Sequence, residues 1–179
     1  MLRVLWALGF LVAASGHAAG PTAAAPAAAK PAAAKAATGN AAENAIVKRA
    51  TADWAPALRL ATDTFLVGAG DVGFDVSTPR AGYLTVLQTG TNGARDVIFP
   101  SAADADNRVD AGTLRLPRAG WRLHAVGPAG TGRLLAVLTP RAPDMNAVRR
   151  RWAAGLVPDF GAKYGAAAAE YREVAGRAP

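Results

Sequence analysis

The chain has 179 residues, a formal charge of +7 and no cysteine. The missing thiols exclude disulfide staples, cysteine metal centres and thiol chemistry, so any folded region depends on its apolar core. The cations Arg59, Arg80, Arg95, Arg115, Arg118, Arg122 and Arg133 are dispersed, which argues against a nucleic-acid tract and leaves at most weak contact with anionic membrane surfaces.

Arg3 precedes an apolar run from Val4 to Ala14, and the small residues Ser15-Gly16-His17-Ala18 follow. This is the layout of a secretory signal peptide over residues 1–18, with cleavage after Ala18 and a periplasmic destination. The run is shorter than the roughly 20 residues that span a bilayer. No cysteine follows it, so a lipoprotein is not expected. Residues 19–53 are dominated at first by Ala, Pro and Lys, with Pro21, Pro26 and Pro31 interrupting any helix. Such composition lacks the bulky apolar surface that offsets ordering entropy, and it predicts a flexible tether. A short helix is expected within it around Glu43–Ala50, capped by Asn40.

From Trp54 to residue 142, short apolar stretches alternate with turn residues, the rhythm of an all-β domain. Predicted strands are Ala57–Thr62, Val72–Ser77, Tyr83–Gln88, Arg95–Phe99, Leu114–Leu116, Trp121–Val126 and Leu134–Leu138. Val72, Phe74 and Val76 alternate with Gly73, Asp75 and Ser77, as on a half-buried strand. Asn92-Gly93 between the third and fourth runs is a hairpin signal. The expected fold is mainly β: a seven-stranded antiparallel β-sandwich, immunoglobulin-like, with C-terminal helices over residues 143–179. The first helix would be capped by Asp144 and carry Met145, Val148, Trp152 and Leu156 inward. A second would start at Pro158-Asp159, with Phe160, Tyr164, Ala167, Tyr171 and Val174 on one face.

Gly68-Ala69-Gly70-Asp71-Val72-Gly73 spells the G-x-G-x-x-G of a dinucleotide cradle. That cradle requires a helix after the glycines, because the helix N-terminus holds the pyrophosphate. The residues that follow alternate with period two and reach Pro79, and no acidic residue closes a strand about 20 residues on. The glycines are therefore read as a tight turn, with Asp71 bonding the local backbone; no cofactor is expected. Asp104, Asp106, Asn107 and Asp110 bunch oxygen atoms in one loop, but without the glycine and terminal glutamate of an EF-hand. They are read as a solvated loop, not a metal site. His124 alternates with Leu123 on a strand and faces solvent; a triad would have to use Ser77 or Ser101, and neither sits in a nucleophile elbow. Glu43, Glu170 and Glu173 are expected outside the sandwich, away from any cleft for paired-carboxylate chemistry. Arg149-Arg150-Arg151-Trp152 is read as a wet helix face, with contact to phospholipid headgroups as the alternative. No catalytic, cofactor-binding or metal-binding residue is assigned.

Several pieces occur in a familiar order: Gly68-x-Gly70-Asp71-x-Gly73-Phe74-x-Val76, Gly82-Tyr83-Leu84-x-Val86-Leu87, Ile98-Phe99-Pro100, Asn107-Arg108-Val109-x-Ala111-Gly112 and Gly127-Pro128-x-Gly130. Over about residues 58–142 the chain resembles a bacterial domain of unknown function found in envelope proteins and appended to caspase-like peptidases and signalling proteins. Gly132-Arg133 stands where that pattern commonly has an acidic residue. The resemblance implies a β-sandwich accessory or interaction domain without established catalytic residues. The expected function is an exported, non-catalytic module that binds a protein or cell-envelope partner. A structural subunit of an envelope or secretion assembly, and an enzyme of unrecognised type, are the alternatives.

Overall fold

The computed structural model describes residues 41–69 and 71–176; the expected signal peptide, the tether over residues 19–40, and Gly70 lie outside them. Most of the apolar alternations become strands. In chain order these are β1 (Ala57–Leu60), β2 (Thr64–Leu66), β3 (Phe74–Thr78), β4 (Gly82–Thr89), β5 (Arg95–Phe99), β6 (Arg108–Val109), β7 (Gly112–Leu116), β8 (Gly130–Thr139) and β9 (Gly165–Val174). The smaller sheet has the order β1-β3-β7. The larger has the order β2-β9-β8-β4-β5, with β6 also paired to β4. The expected seven antiparallel strands are thus nine among the described residues, and β2 lies parallel to β9.

Two strands, β4 and β8, are covered on both faces, which explains the unbroken apolar run Leu134–Leu138 of β8. Leu84 and Val86 of β4, with Leu134, Ala136 and Leu138 of β8, join a core that includes Phe74, Val76 and Leu116 of the smaller sheet. Leu87, Leu135 and Val137 belong to a second core under a helical layer. That layer consists of α1 (residues 41–49) and α2 (Met145–Ala153). Asp144 caps α2 as expected, accepting from the amides of Asn146 and Ala147. Val148 and Trp152 are its buried stripe, and the Trp152 indole donates to the Gln88 carbonyl at 3.0 Å.

Three expectations are corrected. Residues 41–53 are not part of a flexible tether: Ile46 is fully buried, and the Tyr164 hydroxyl donates to its carbonyl at 3.0 Å. Trp121–Val126 forms no strand. Its burial nevertheless alternates, with Ala125 buried and Arg122, His124 and Val126 exposed, and only His124 bridges to Asp71. The third correction is the largest. The second C-terminal helix does not exist, and its alanine-rich sequence is β9, paired with β8 from Gly130 to Leu138. Alanine favours helix locally, but an isolated helix of this length is marginal in water. The buried backbone of β8 needs hydrogen-bond partners, and β9 supplies them.

Small residues are also what this position tolerates. A Cβ on Gly165 would overlap the main chain of Trp54 and Ala55, and one on Gly132 would enter the Tyr171 ring. Gly165→Ala is expected to cost about 1–3 kcal/mol through this overpacking, read as a lower urea midpoint at unchanged slope. Trp152→Ala, which empties the second core, should cost about 3–5 kcal/mol in the same measurement.

Candidate functional site

At one end of the larger sheet the β4–β5 hairpin, the segment around residues 123–127 and the end of β9 enclose a hollow of about 140 Å³. The hairpin is built as its sequence requires. Gly93 takes φ +77°, its amide and that of Ala94 donate to the Gly90 carbonyl and the Asn92 side-chain oxygen, and the Gly90 amide donates to Ala94. Positive φ at the second turn residue is what Asn-Gly sequences permit.

Polar groups converge on this hollow from three elements, among them Gln88, Asn92, Asp96, His124 and Glu173. Glu173 is buried, and its Oε2 accepts from the Gly127 amide at 2.9 Å. A side chain at Gly127 would run into the Thr91 hydroxyl, so glycine lets the two loops touch. Gln88 Nε2 donates to the Tyr171 hydroxyl at 2.6 Å. Burial raises the Tyr171 pKa above its ordinary 10.0; the Gln88 bond opposes that rise and the charge of Glu173 adds to it. On the outer wall, His124 Nδ1 lies 3.2 Å from one Asp71 oxygen and Arg122 lies 3.1 Å from the other. Val126, 82 % exposed, stands on the rim. The arrangement offers hydrogen-bonding groups on a braced frame beside one protruding apolar side chain.

The residues singled out from sequence fall in different places. Gly68 has φ +75°, the Ala69 amide donates to Leu66 at 3.2 Å, and the next regular element is β3, so Gly68 and Ala69 lie in a turn and the described residues after Asp71 lead into a strand rather than a helix. Asp71 is a correction: its carboxylate reaches across to Arg122 and His124 rather than to the local backbone. Ser77 shares a 2.7 Å hydrogen bond with Thr113, and Ser101 donates to Asp104 at 2.7 Å, whereas His124 pairs with Asp71. In the acidic loop, Asp104 is mostly covered, binds the Ser101 amide and lies 3.4 Å from Arg118. Asp106 accepts from the Arg108 amide at 2.9 Å, and the Asn107 carbonyl accepts from Leu84 at 2.8 Å. These acids close the loop on itself and on β4.

The glutamates are a second correction. Glu43 and Glu173 are buried within the fold rather than outside it. Glu43 accepts from the Thr89 hydroxyl and lies 3.0 Å from Arg133, which in turn lies 3.3 Å from Glu170. This chain of charges joins α1 to β8 and β9. Arg149 is exposed, as expected of a wet face, and its guanidinium also donates to the carbonyls of Val97 and Pro100, tying α2 to β5. Arg150 and Arg151 are exposed as well, Arg151 Nε donating to the Val157 carbonyl at 2.9 Å, whereas Trp152 is buried. The sequence pattern hides Glu173 at the end of the hollow and the Tyr171–Gln88 bond beside it, because the alanine-rich stretch that carries Tyr171 and Glu173 suggests a helix. The period-two spacing of those two residues was the available signal.

Residues 65–142 match the domain of unknown function DUF4384. The matched span runs from β2 to just past β8 and leaves out α1, β1, α2 and β9. No match is found among curated proteins or solved structures.

Two outcomes follow from the site's electrostatics. The raised Tyr171 pKa means that the folded state holds this proton more tightly than the unfolded chain. Its contribution to stability is complete below pH 10 and is lost as pH rises through the folded value. In Tyr171→Phe, urea midpoints should depend less on pH above 10, while stability at neutral pH falls by about 1 kcal/mol for the lost hydrogen bond. Glu43→Ala leaves Arg133 largely covered beside the exposed Glu170 and should cost about 3 kcal/mol, also read by urea unfolding.

Proposed function

We propose that the chain is an exported, periplasmic, non-catalytic interaction module. In this reading residues 1–18 direct export, the Ala/Pro/Lys stretch after them tethers the domain, and the end of the larger sheet engages a protein partner. The association of similar domains with envelope and signalling proteins, including caspase-like peptidases, belongs to the same reading. The observation that carries it is Val126. A large apolar side chain, 82 % exposed, stands beside a polar-lined hollow, and the neighbouring Gly127 amide is fixed by the buried Glu173. Interfaces concentrate binding energy in such anchors surrounded by polar rims. Bracing by the Glu173 bond lowers the ordering entropy lost on association.

A photo-crosslinking residue at Asn92 in the full chain, expressed in bacterial cells, tests the reading. The expected result is a discrete crosslinked species that disappears in Val126→Asp, with the thermal unfolding temperature of that variant unchanged. A species that survives Val126→Asp, or that forms equally from a crosslinker at Thr113 on β7, would count against this end of the domain as the recognition surface.

A further inference from the structure

We propose that the helical layer is a docking face for an anionic phospholipid bilayer. This face is separate from the hollow and goes beyond the protein-binding reading. The last turn of α1 presents Val47, Lys48 and Arg49 to solvent. Arg150 and Arg151 are exposed on α2, and Leu156 and Lys163 are exposed on the connector that follows. These pieces lie together. The connector's Tyr164 hydroxyl bonds the Ile46 carbonyl of α1, and the Phe160 ring lies 5.8 Å from that of Tyr164. Both helices and the connector share one apolar core against the larger sheet.

Charge and apolarity coincide on this layer. Val47 is 40 % exposed and Leu156 51 % exposed. The carboxylates nearby are occupied: Glu43 is buried beside Arg133, Asp144 caps α2, and Asp159 accepts from the Gly161 amide. Glu170 pairs with Arg133, and Asp53 lies past the end of α1. Basic residues in a last helical turn complement the helix dipole, but the dipole does not call for exposed Val47 and Leu156 beside them. Cations set around protruding aliphatic side chains match the headgroup and upper acyl region of an anionic leaflet. Arg150 remains available for this contact, whereas Arg149 is used to hold β5.

The test is co-sedimentation of the full chain with vesicles of phosphatidylcholine, and of phosphatidylcholine mixed with phosphatidylglycerol. Binding through residues 1–40, whose Arg3, Lys30 and Lys35 also favour anionic lipid, is common to the parent and every variant and cancels when variants are compared with the parent. Stronger binding to the anionic vesicles is expected, and it should fall as salt screens the charges. Arg49→Glu/Arg150→Glu should weaken the anionic component by at least about tenfold. Leu156→Asp, which leaves every cation in place, should weaken it too. Arg59→Glu/Arg115→Glu, the same charge change on the smaller sheet, should leave most of it intact. Equal binding to both vesicle types would overturn the proposal, as would equal loss in the two charge-reversed variants.

Discussion

The double pairing of β8 is the constraint on which the rest of the structure depends. This strand is hydrogen-bonded to β4 on one side and to β9 on the other, and it is packed on both faces. A strand buried so completely cannot leave its amides and carbonyls to water, so a partner must run beside it for most of its length. That requirement makes an alanine-rich segment extended. It also sets Tyr171 opposite Gly132 and Glu173 opposite Gly130. The polar end of the hollow is a consequence: Tyr171 meets Gln88 from β4, and Glu173 meets the Gly127 amide.

The charged residues of the interior act mainly on position. Glu43, Arg133 and Glu170 connect a helix to two strands that are far apart in sequence. A buried ion pair is weak as a net source of stability, because desolvation offsets most of the attraction. Its geometric demand is strict, however, and here it fixes how α1 lies on the sheet. Arg149 does the same for α2 by bonding two carbonyls of the β5 region. With α1 and α2 pinned in this way over one shared core, their exposed residues lie on the helical layer, and the hollow lies at the sheet end. The two surfaces differ in character: the first is cationic with aliphatic protrusions, the second polar with a single apolar rim residue.

The matched family span ends before β9 and begins after α1. The elements outside it are nevertheless part of the same cores: Ile46 of α1, Trp152 of α2 and Tyr171 of β9 are all buried. The hollow also uses both regions, since Gln88, Asn92 and His124 lie inside the matched span and Glu173 outside it. Whatever the common module does elsewhere, in this chain its polar end is completed by a strand from beyond it.

Several elements were legible in the sequence because their determinants are local. The alternation of Phe74 and Val76 with Asp75 and Ser77 specifies β3 and its inward face, since side chains on a strand point to opposite sides with period two. Asn92-Gly93 specifies its hairpin, and Asp144 its helix cap, through bonds made within a few residues. The glycine segment reads as a turn from the strand pattern that follows it. The tertiary structure alone decided the fate of residues 165–174, the burial of Glu43 and Glu173, the clamp made by Arg149 and the partners of Asp71. Each of these depends on a group distant in the chain: the open side of β8, Arg133, the Gly127 amide, the Val97 carbonyl, and Arg122 with His124. Local periodicity carries no information about such distant groups, because backbone and charge satisfaction are settled only when the layers come together.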